Sequence, residues 1–420
     1  MSVLKNGRSV CPECFKELDA VIYKEDNAVY MEKKCKEHGK YKVLIERDAG
    51  IYACLMNKKP KECQAAPRHL MVSFSHKCNL NCPVCYLPYK GKEIPLEQLK
   101  DVISRFEGDE ISISGGEPTL RRDLSKLIKF INGSGKKHIL LTNGIRFSDE
   151  QYVKQLKQAG LKTVHLSLNA LDGKVLEEVD GNDMLEYKLK GLENLQKNKI
   201  YICLSLMLQR GVNEGQVEKI IGYFLDKPHF IINLRIRSSA PIGRHENVSQ
   251  LCMSEIVKLL CSAIKVPYSR IVKSINKSSY ADSLPCKLCL LLFFQKHKEG
   301  ANLLFAEVIN DDALGSLFRS MPKGLAFGYK LLKHGGIKSF AGYFKNKATR
   351  KCTVLMLPVK IHSWLSRYNM ELGDISYCNI QYLAENGRVY PFCYAHMVNE
   401  RRAKPAGKKA KRIMGNEMKC

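Results

Sequence analysis

The sequence predicts an α/β fold with a parallel sheet and crossover helices, on three observations. Strand-like and helix-like runs alternate through residues 69–236, polar and glycine signals recur at the ends of successive strand runs, and a tight cysteine group follows the first of them. The β-rich runs fall at 69–75, 110–114, 138–142, 163–169, 200–207 and 231–236. Between them lie helix-like stretches at 96–106, 122–131, 149–159, 173–198 and 214–225. Six βα units over about 170 residues argue for a parallel sheet, open or partly closed into a barrel. In such folds the ligand sits at the carboxyl ends of the strands, so motifs placed just after strands matter most.

The 420 residues suggest two or three domains. With 45% hydrophobic and 26% charged residues, the chain can bury a sizeable core. Four regions are expected: a metal-binding module at 1–65, a core at 66–250, a cysteine-bearing region at 251–400 and a basic tail at 401–420. Residues 295–350 mix apolar helix-like pieces, at 303–308 and 325–332, with glycine pairs and lysines. No signal pattern opens the chain, and the densest apolar run, 289–294, is far short of the roughly 18 residues a membrane span needs. A cytoplasmic protein is expected, one that can also sit at a membrane surface. Its 17 cysteines then ask for metal rather than disulfides.

Cys78-Asn-Leu-Asn-Cys82-Pro-Val-Cys85-Tyr86 follows the first core strand. Three thiolates are one too few for a closed zinc site, but they suit a [4Fe–4S] cluster with one iron left open. The competing reading is a zinc knuckle completed by His76 or Cys63. The next strand ends in Ser114-Gly115-Gly116-Glu117-Pro118, where two glycines admit a ligand close to the backbone and Glu117 can accept from an ammonium group. Later strand runs end in Thr142-Asn143-Gly144, Ser167-Leu168-Asn169 and Gln209-Arg210-Gly211-Val212-Asn213.

Together these residues resemble the radical S-adenosylmethionine (SAM) superfamily over about residues 69–245. The resemblance implies a partial (βα)6 barrel in which Cys78, Cys82 and Cys85 hold a [4Fe–4S] cluster whose open iron chelates SAM. It places Gly115, Gly116, Glu117 and Pro118 at the SAM amino group and Ser167 and Asn169 at the ribose. It places Asn213, the backbone around Gly211, and Tyr86 near the adenine. The reduced cluster, fed by a ferredoxin- or flavodoxin-type donor, would cleave SAM to methionine and a 5′-deoxyadenosyl radical that abstracts hydrogen from substrate.

Cys11-Pro-Glu-Cys14 and Cys35-Lys-Glu-His38 make a plausible four-ligand site for zinc or a single iron, with Cys54 able to replace His38. A closed metal staple for a small segment is the favoured reading. Cys286, Cys289, Cys378 and Cys393 could complete an auxiliary [4Fe–4S] cluster, against the plainer reading of buried free thiols. Cys203, Cys252 and Cys261 are expected in the core; Cys352 is open, and Cys420 reads as a tail thiol.

The order of these motifs, with Pro-Ile-Gly-Arg at 241–244, is similar to the archaeal tetraether lipid synthases and relatives once assigned as dihydropterin methylases. That resemblance implies C–C bond formation or alkylation at an unactivated carbon of a lipid-like substrate. The chain departs from it in having only Cys54 and Cys63 just before the core, where those synthases carry a denser cysteine stretch. A peptide maturase, a pterin methylase-like enzyme and a metal-stapled nucleic-acid binder are the alternatives. The last is disfavoured because no aromatic-interleaved basic patch is found, so no specific nucleic acid is expected. The formal charge of +26 suits an anionic lipid or membrane surface and discriminates weakly.

Overall fold

Four antiparallel strands open the chain: β1 (Ser2–Val10), β2 (Glu17–Glu25), β3 (Ala28–Cys35) and β4 (Gly39–Glu46). They form a sheet in sequence order. Its apolar face, with Ile22, Val29 and Met31, packs on Ala49 and Tyr52 of α1 (Ala49–Met56). Asp48 caps that helix by accepting from the Gly50 and Ile51 amides. The computed structural model describes residues 1–59, 68–87, 93–227, 230–243, 248–277, 284–297, 300–308, 353–384 and 387–403.

The centre is β5 (His69–Ser75), α2 (Leu96–Arg105), β6 (Glu110–Gly115), α3 (Leu124–Gly133), β7 (Lys137–Thr142), α4 (Glu150–Gln158) and β8 (Thr163–Ser167). It continues through α5 (Gly173–Asp180), α6 (Leu185–Lys197), β9 (Tyr201–Leu208), α7 (Gln216–Asp226) and β10 (Ile231–Ser238). β5 to β10 are parallel, each beside the next. Strand alternation divides the two faces. Ile111, Ile113, Leu140, Val164, Leu166, Leu204, Leu234 and Ile236 join the helices in one large core. The opposite face carries Ser112, Ser114, His165, Ser167, Ser205, Arg235 and Arg237, so the lumen is polar.

One expectation fails inside this series. Residues 173–198 form two helices, not one. Gly181, at φ 79°, ends α5 in the left-handed region, where a side chain would be strained. The Gly-Asn-Asp run that follows has too little helix propensity to bridge the gap.

The C-terminal part continues the same sheet. It holds α8 (Met253–Ala263), α9 (Tyr268–Lys277), β11 (Lys287–His297), β12 (Gly300–Val308), β13 (Thr353–Ser363), α10 (Leu372–Ile375), β14 (Ile380–Leu383), β15 (Val389–Pro391) and α11 (Phe392–Ala403). β13 lies parallel to β10, and β14 parallel to β5. The eleven-stranded order is β12-β11-β13-β10-β9-β8-β7-β6-β5-β14-β15. The 303–308 piece, expected as helix, is strand because it pairs along the apolar β11, and that pairing overrides leucine's helix preference. The 325–332 piece, Cys63, Arg244, Cys352, Cys420 and residues 404–420 lie outside the described residues; α11 runs through Ala403. No helix among the described residues is long and apolar enough to cross a membrane.

Candidate active site

The loop after β5 carries Cys78, Cys82 and Cys85, none of them in a disulfide, which line one cavity at the carboxyl ends of the central strands. Cys78 is exposed and the other two are half-buried. Burial pushes the Cys82 thiol up, with the charge of Asp180 adding to it. Such a thiol becomes a thiolate when a metal takes the place of its proton. Three sulfurs on one loop match the three protein ligands of an open-iron [4Fe–4S] cluster. The cavity encloses about 850 Å3 of empty space, part of it open to solvent.

The loop is fastened to the end of β6. The Gly116 amide donates to Ser75 O and the Glu117 amide to Lys77 O at 2.8 Å. A Cβ on Gly115 would stand 2.2 Å from Ser75 O, and one on Gly116 2.4 Å from Lys77 O, so no other residue fits. Ser114, Gly115 and Gly116 line the cavity. Asn143 also lines it and donates to Asn79 Oδ1 at 2.8 Å, tying the cysteine loop to the end of β7.

Several expected cofactor contacts have other occupations. Glu117 is fully buried. It accepts from the Thr119 amide at 3.0 Å, Thr119 Oγ1 at 2.6 Å, Thr142 Oγ1 at 2.9 Å and the Asn143 amide at 2.8 Å. Its carboxylate ties the end of β6 to the end of β7, with three of these bonds on Oε1 and one on Oε2, and neither it nor Pro118 is among the residues that line the cavity. Asn213 is buried likewise, donating to Asn169 O at 2.9 Å and Met207 O at 2.8 Å and accepting from the Gln209 amide at 2.8 Å. Gly211 is exposed and lies off the cavity wall. Ser167 and Asn169 do line it. The Asn169 side chain accepts from the Met207 amide at 2.8 Å and donates to Asp180 at 2.7 Å. The Tyr86 hydroxyl meets Ser114 Oγ at 2.9 Å, and its ring is caged by Trp364, Phe392 and His396.

Sequence reasoning missed Asp180 and Lys188, which form a buried pair on the cavity wall, and His165, Ser205 and Arg237, which line it too. The last three stand at alternating positions of β-rich runs, a signal open to reading.

The N-terminal metal site is compact. One donor atom from each of Cys11, Cys14, Cys35 and His38 falls within 4.8 Å of all the others. His38 Nδ1 is 3.6 Å from Cys11 Sγ and 3.5 Å from Cys35 Sγ. Burial raises the Cys35 thiol, but hydrogen bonds from His38 and the backbone outweigh it and hold the thiol at about 6. The alternative ligand Cys54 sits instead in α1, packed into the main core, so His38 is the fourth donor.

Among the C-terminal cysteines, Cys286 stands in the tight turn before β11 and is raised by burial and by the charges of Cys393 and Cys378. Those three thiols share one buried region. Cys289 lies on β11 opposite Lys360. Ile242 belongs to the apolar cluster against which Cys393 packs, and the Gly243 amide donates to Glu400 at 2.9 Å.

Residues 72–224 match the radical SAM superfamily model, and residues 3–47 match the HMPTM N-terminal zinc ribbon domain. The chain is 31% identical over 273 residues to 7,8-dihydro-6-hydroxymethylpterin dimethyltransferase of Methanocaldococcus jannaschii, covering 57% of this chain and 54% of that protein. It is 31% identical over 174 residues to a probable GTP 3′,8-cyclase of Pyrococcus abyssi, covering 40% and 55%. The chain thus spans about half the length of these curated relatives. Streptococcus suis SuiB bound to S-adenosylmethionine aligns with a TM-score of 0.41 and 18% identity over 46% of each chain. The chain carries a radical SAM domain, with the [4Fe–4S] cluster and SAM which that domain implies, behind an N-terminal zinc ribbon.

Proposed function

We propose that this radical SAM enzyme removes hydrogen from an unactivated carbon of a lipid-like substrate and forms a C–C bond or alkylates it there. The observation that carries the reading is three cysteines on one loop facing a glycine-lined cavity. When bound, the cluster and SAM supply one-electron cleavage of a carbon–sulfur bond. Cys78, Cys82 and Cys85 would hold the cluster, and the backbone of Ser114 to Gly116, with Ser167, would orient SAM. Tyr86, caged by aromatic rings, walls the cavity and keeps water from its reacting end. Cys286, Cys289, Cys378 and Cys393 would hold an auxiliary [4Fe–4S] cluster. The electron would come from a ferredoxin- or flavodoxin-type donor, and the basic surface would suit an anionic membrane.

A second reading, a pterin substrate, is favoured by the likeness to the Methanocaldococcus jannaschii dimethyltransferase. Anaerobic reconstitution with dithionite and SAM tests the common chemistry. 5′-Deoxyadenosine should form with the wild type and not with Cys82→Ala; equal amounts from both would sink the reading. Lipid profiling of cells with and without the gene, beside incubation with a reduced pterin, separates the two substrates.

A further inference from the structure

The N-terminal ribbon grips one segment of the C-terminal part, residues 367–377, and that segment runs directly into Cys378. Lys33 of β3 donates to Arg367 O at 3.0 Å and to Tyr368 O at 2.8 Å, and Ser9 Oγ of β1 donates to Met370 O at 2.6 Å. Lys5 of β1 pairs with Glu371 and, at 3.2 Å, with Asp374. Lys59, just beyond α1, donates to Asp374 Oδ1 at 2.6 Å and lies 4.1 Å from the centre of the Tyr377 ring. Gly7 comes so near that a Cβ there would stand 2.8 Å from Glu371 Oε1.

The gripped segment passes its position on to the thiol. Glu371 caps α10 by accepting from the Gly373 amide at 3.0 Å. The Tyr377 amide then donates to Asp374 O at 3.2 Å and the Cys378 amide to Ile375 O at 2.9 Å. A shift of α10 therefore moves Cys378 with it.

A second contact reaches Cys393. Val10, which precedes the ligand Cys11, and Phe15, which follows the ligand Cys14, are buried with Met370, Ile375 and Met397. Cys393 packs against this same cluster. The turn that presents Phe15 is tight: its amide donates to Cys11 O at 3.0 Å, the Cys11 amide donates to Lys16 O at 2.8 Å, and its φ of 60° is left-handed. That conformation is uncommon for a bulky residue and persists where its surroundings impose it. Metal bonds to Cys11, Cys14, Cys35 and His38 would impose it here, because a segment this small has little core to hold itself.

We infer that metal in the ribbon is the condition for iron at the auxiliary cysteines: the loaded ribbon fixes Cys378 and Cys393, and iron enters after it. The inference rests on the auxiliary-cluster reading given above. A site binds in proportion to the fraction of time its ligands stand in place, so loosening residues 367–377 lowers iron occupancy without removing any sulfur. Lys5, Lys59 and Phe15 are thus positioning residues for iron they do not touch.

The test uses the full chain carrying Cys78→Ala, Cys82→Ala and Cys85→Ala, so that the auxiliary site alone takes up clustered iron. Zinc is loaded first, iron and sulfide are added anaerobically, and the readouts are metal per chain and the electron paramagnetic resonance spectrum after reduction. This chain should hold iron with a [4Fe–4S] signal. Adding Lys5→Met and Lys59→Met should keep the zinc and lower the iron roughly twofold or more. Lys5→Arg and Lys59→Arg, which still pair with the carboxylates, should keep most of it. Adding Cys11→Ser and Cys14→Ser should lose zinc and iron together. Full iron with an unchanged spectrum in the zinc-free chain, or in the double methionine variant, overturns the inference. If that variant loses its zinc, Glu371→Gln, which weakens the Lys5 pair from the other side, carries the same expectation and the same reversal. No iron in the zinc-loaded parent defeats the auxiliary-cluster reading itself, and the inference with it.

Discussion

Lys188 Nζ donates to Asp180 Oδ2 at 2.6 Å, with both side chains sealed from solvent on the wall of the cavity. The same ammonium donates to Ser167 O at 2.9 Å, and the other Asp180 oxygen accepts from Asn169 at 2.7 Å. The pair therefore fixes the end of β8 and reaches, through Asn169 and Asn213, the loop after β9. Lys188→Met would leave Asp180 charged and unpaired in the interior, which costs about 3–5 kcal/mol. The expected result is a lower urea midpoint together with weaker SAM binding, since Ser167 loses its support. The double variant Asp180→Leu/Lys188→Met should recover most of the stability and little of the SAM affinity. Full recovery of both would show that the pair only fills space.

Gly116 is held against Lys77 by backbone contact rather than by any side chain. Gly116→Ala must push the cysteine loop off β6, at a cost of about 1–3 kcal/mol for such clashes. The decisive reading is iron: reconstituted Gly116→Ala should bind less iron per chain than wild type while keeping its zinc. Normal iron content would mean that the loop adapts without moving its sulfurs.

Beside Lys5 on Glu371 and Asp374 and Ser9 on Met370 O, the residues that attach the ribbon to the rest of the chain include Lys33. This buried lysine, drawn down to about 7 by burial, donates to Ser9 Oγ at 3.0 Å, Arg367 O at 3.0 Å and Tyr368 O at 2.8 Å. Lys33→Met deletes those bonds and leaves buried carbonyls unsatisfied, at about 1–3 kcal/mol each. Limited proteolysis should then cut within residues 1–47 sooner than in wild type, and a strong zinc chelator should reproduce the pattern in the wild-type chain. Equal cutting in all three would show that ribbon and barrel are held together elsewhere.

Much of this was legible beforehand because it depends on local rules. β5 to β10 stand where apolar alternation and strand-end glycines place them, and the ribbon ligands follow from C-x2-C and C-x2-H spacing. What was not legible depends on contacts between distant segments. Glu117 and Asn213 have the side chains of ligand-binding residues, but their polar atoms are consumed by neighbouring strand ends, which sequence spacing does not reveal. Asp180 falls within the 173–198 stretch expected as one helix, which Gly181 divides. β11 and β13 join the central sheet across a long stretch of chain, and no periodicity announces which strand will accept them.

His396 supplies the pH test. Its ring lies 5.1 Å from that of Tyr86, 4.8 Å from Tyr382 and 4.6 Å from Phe392, and its Nε2 has no hydrogen-bond partner. Burial lowers its pKa from 6.5 to about 3. The unfolded chain takes up a proton as pH falls through 6.5, while the folded chain stays neutral down to about 3. Acid therefore favours unfolding across that window, and the stability present above pH 6.5 is lost on the way down. By pH 5 the loss should be about 2 kcal/mol relative to neutral pH. His396→Phe keeps an aromatic ring in the cage and has no proton to bind, so its stability should fall less between pH 7 and 5 by that amount. Urea titrations of both proteins at the two pH values measure the difference. Parallel losses would mean that His396 is already charged in the folded state, with a partner among the groups around Tyr86.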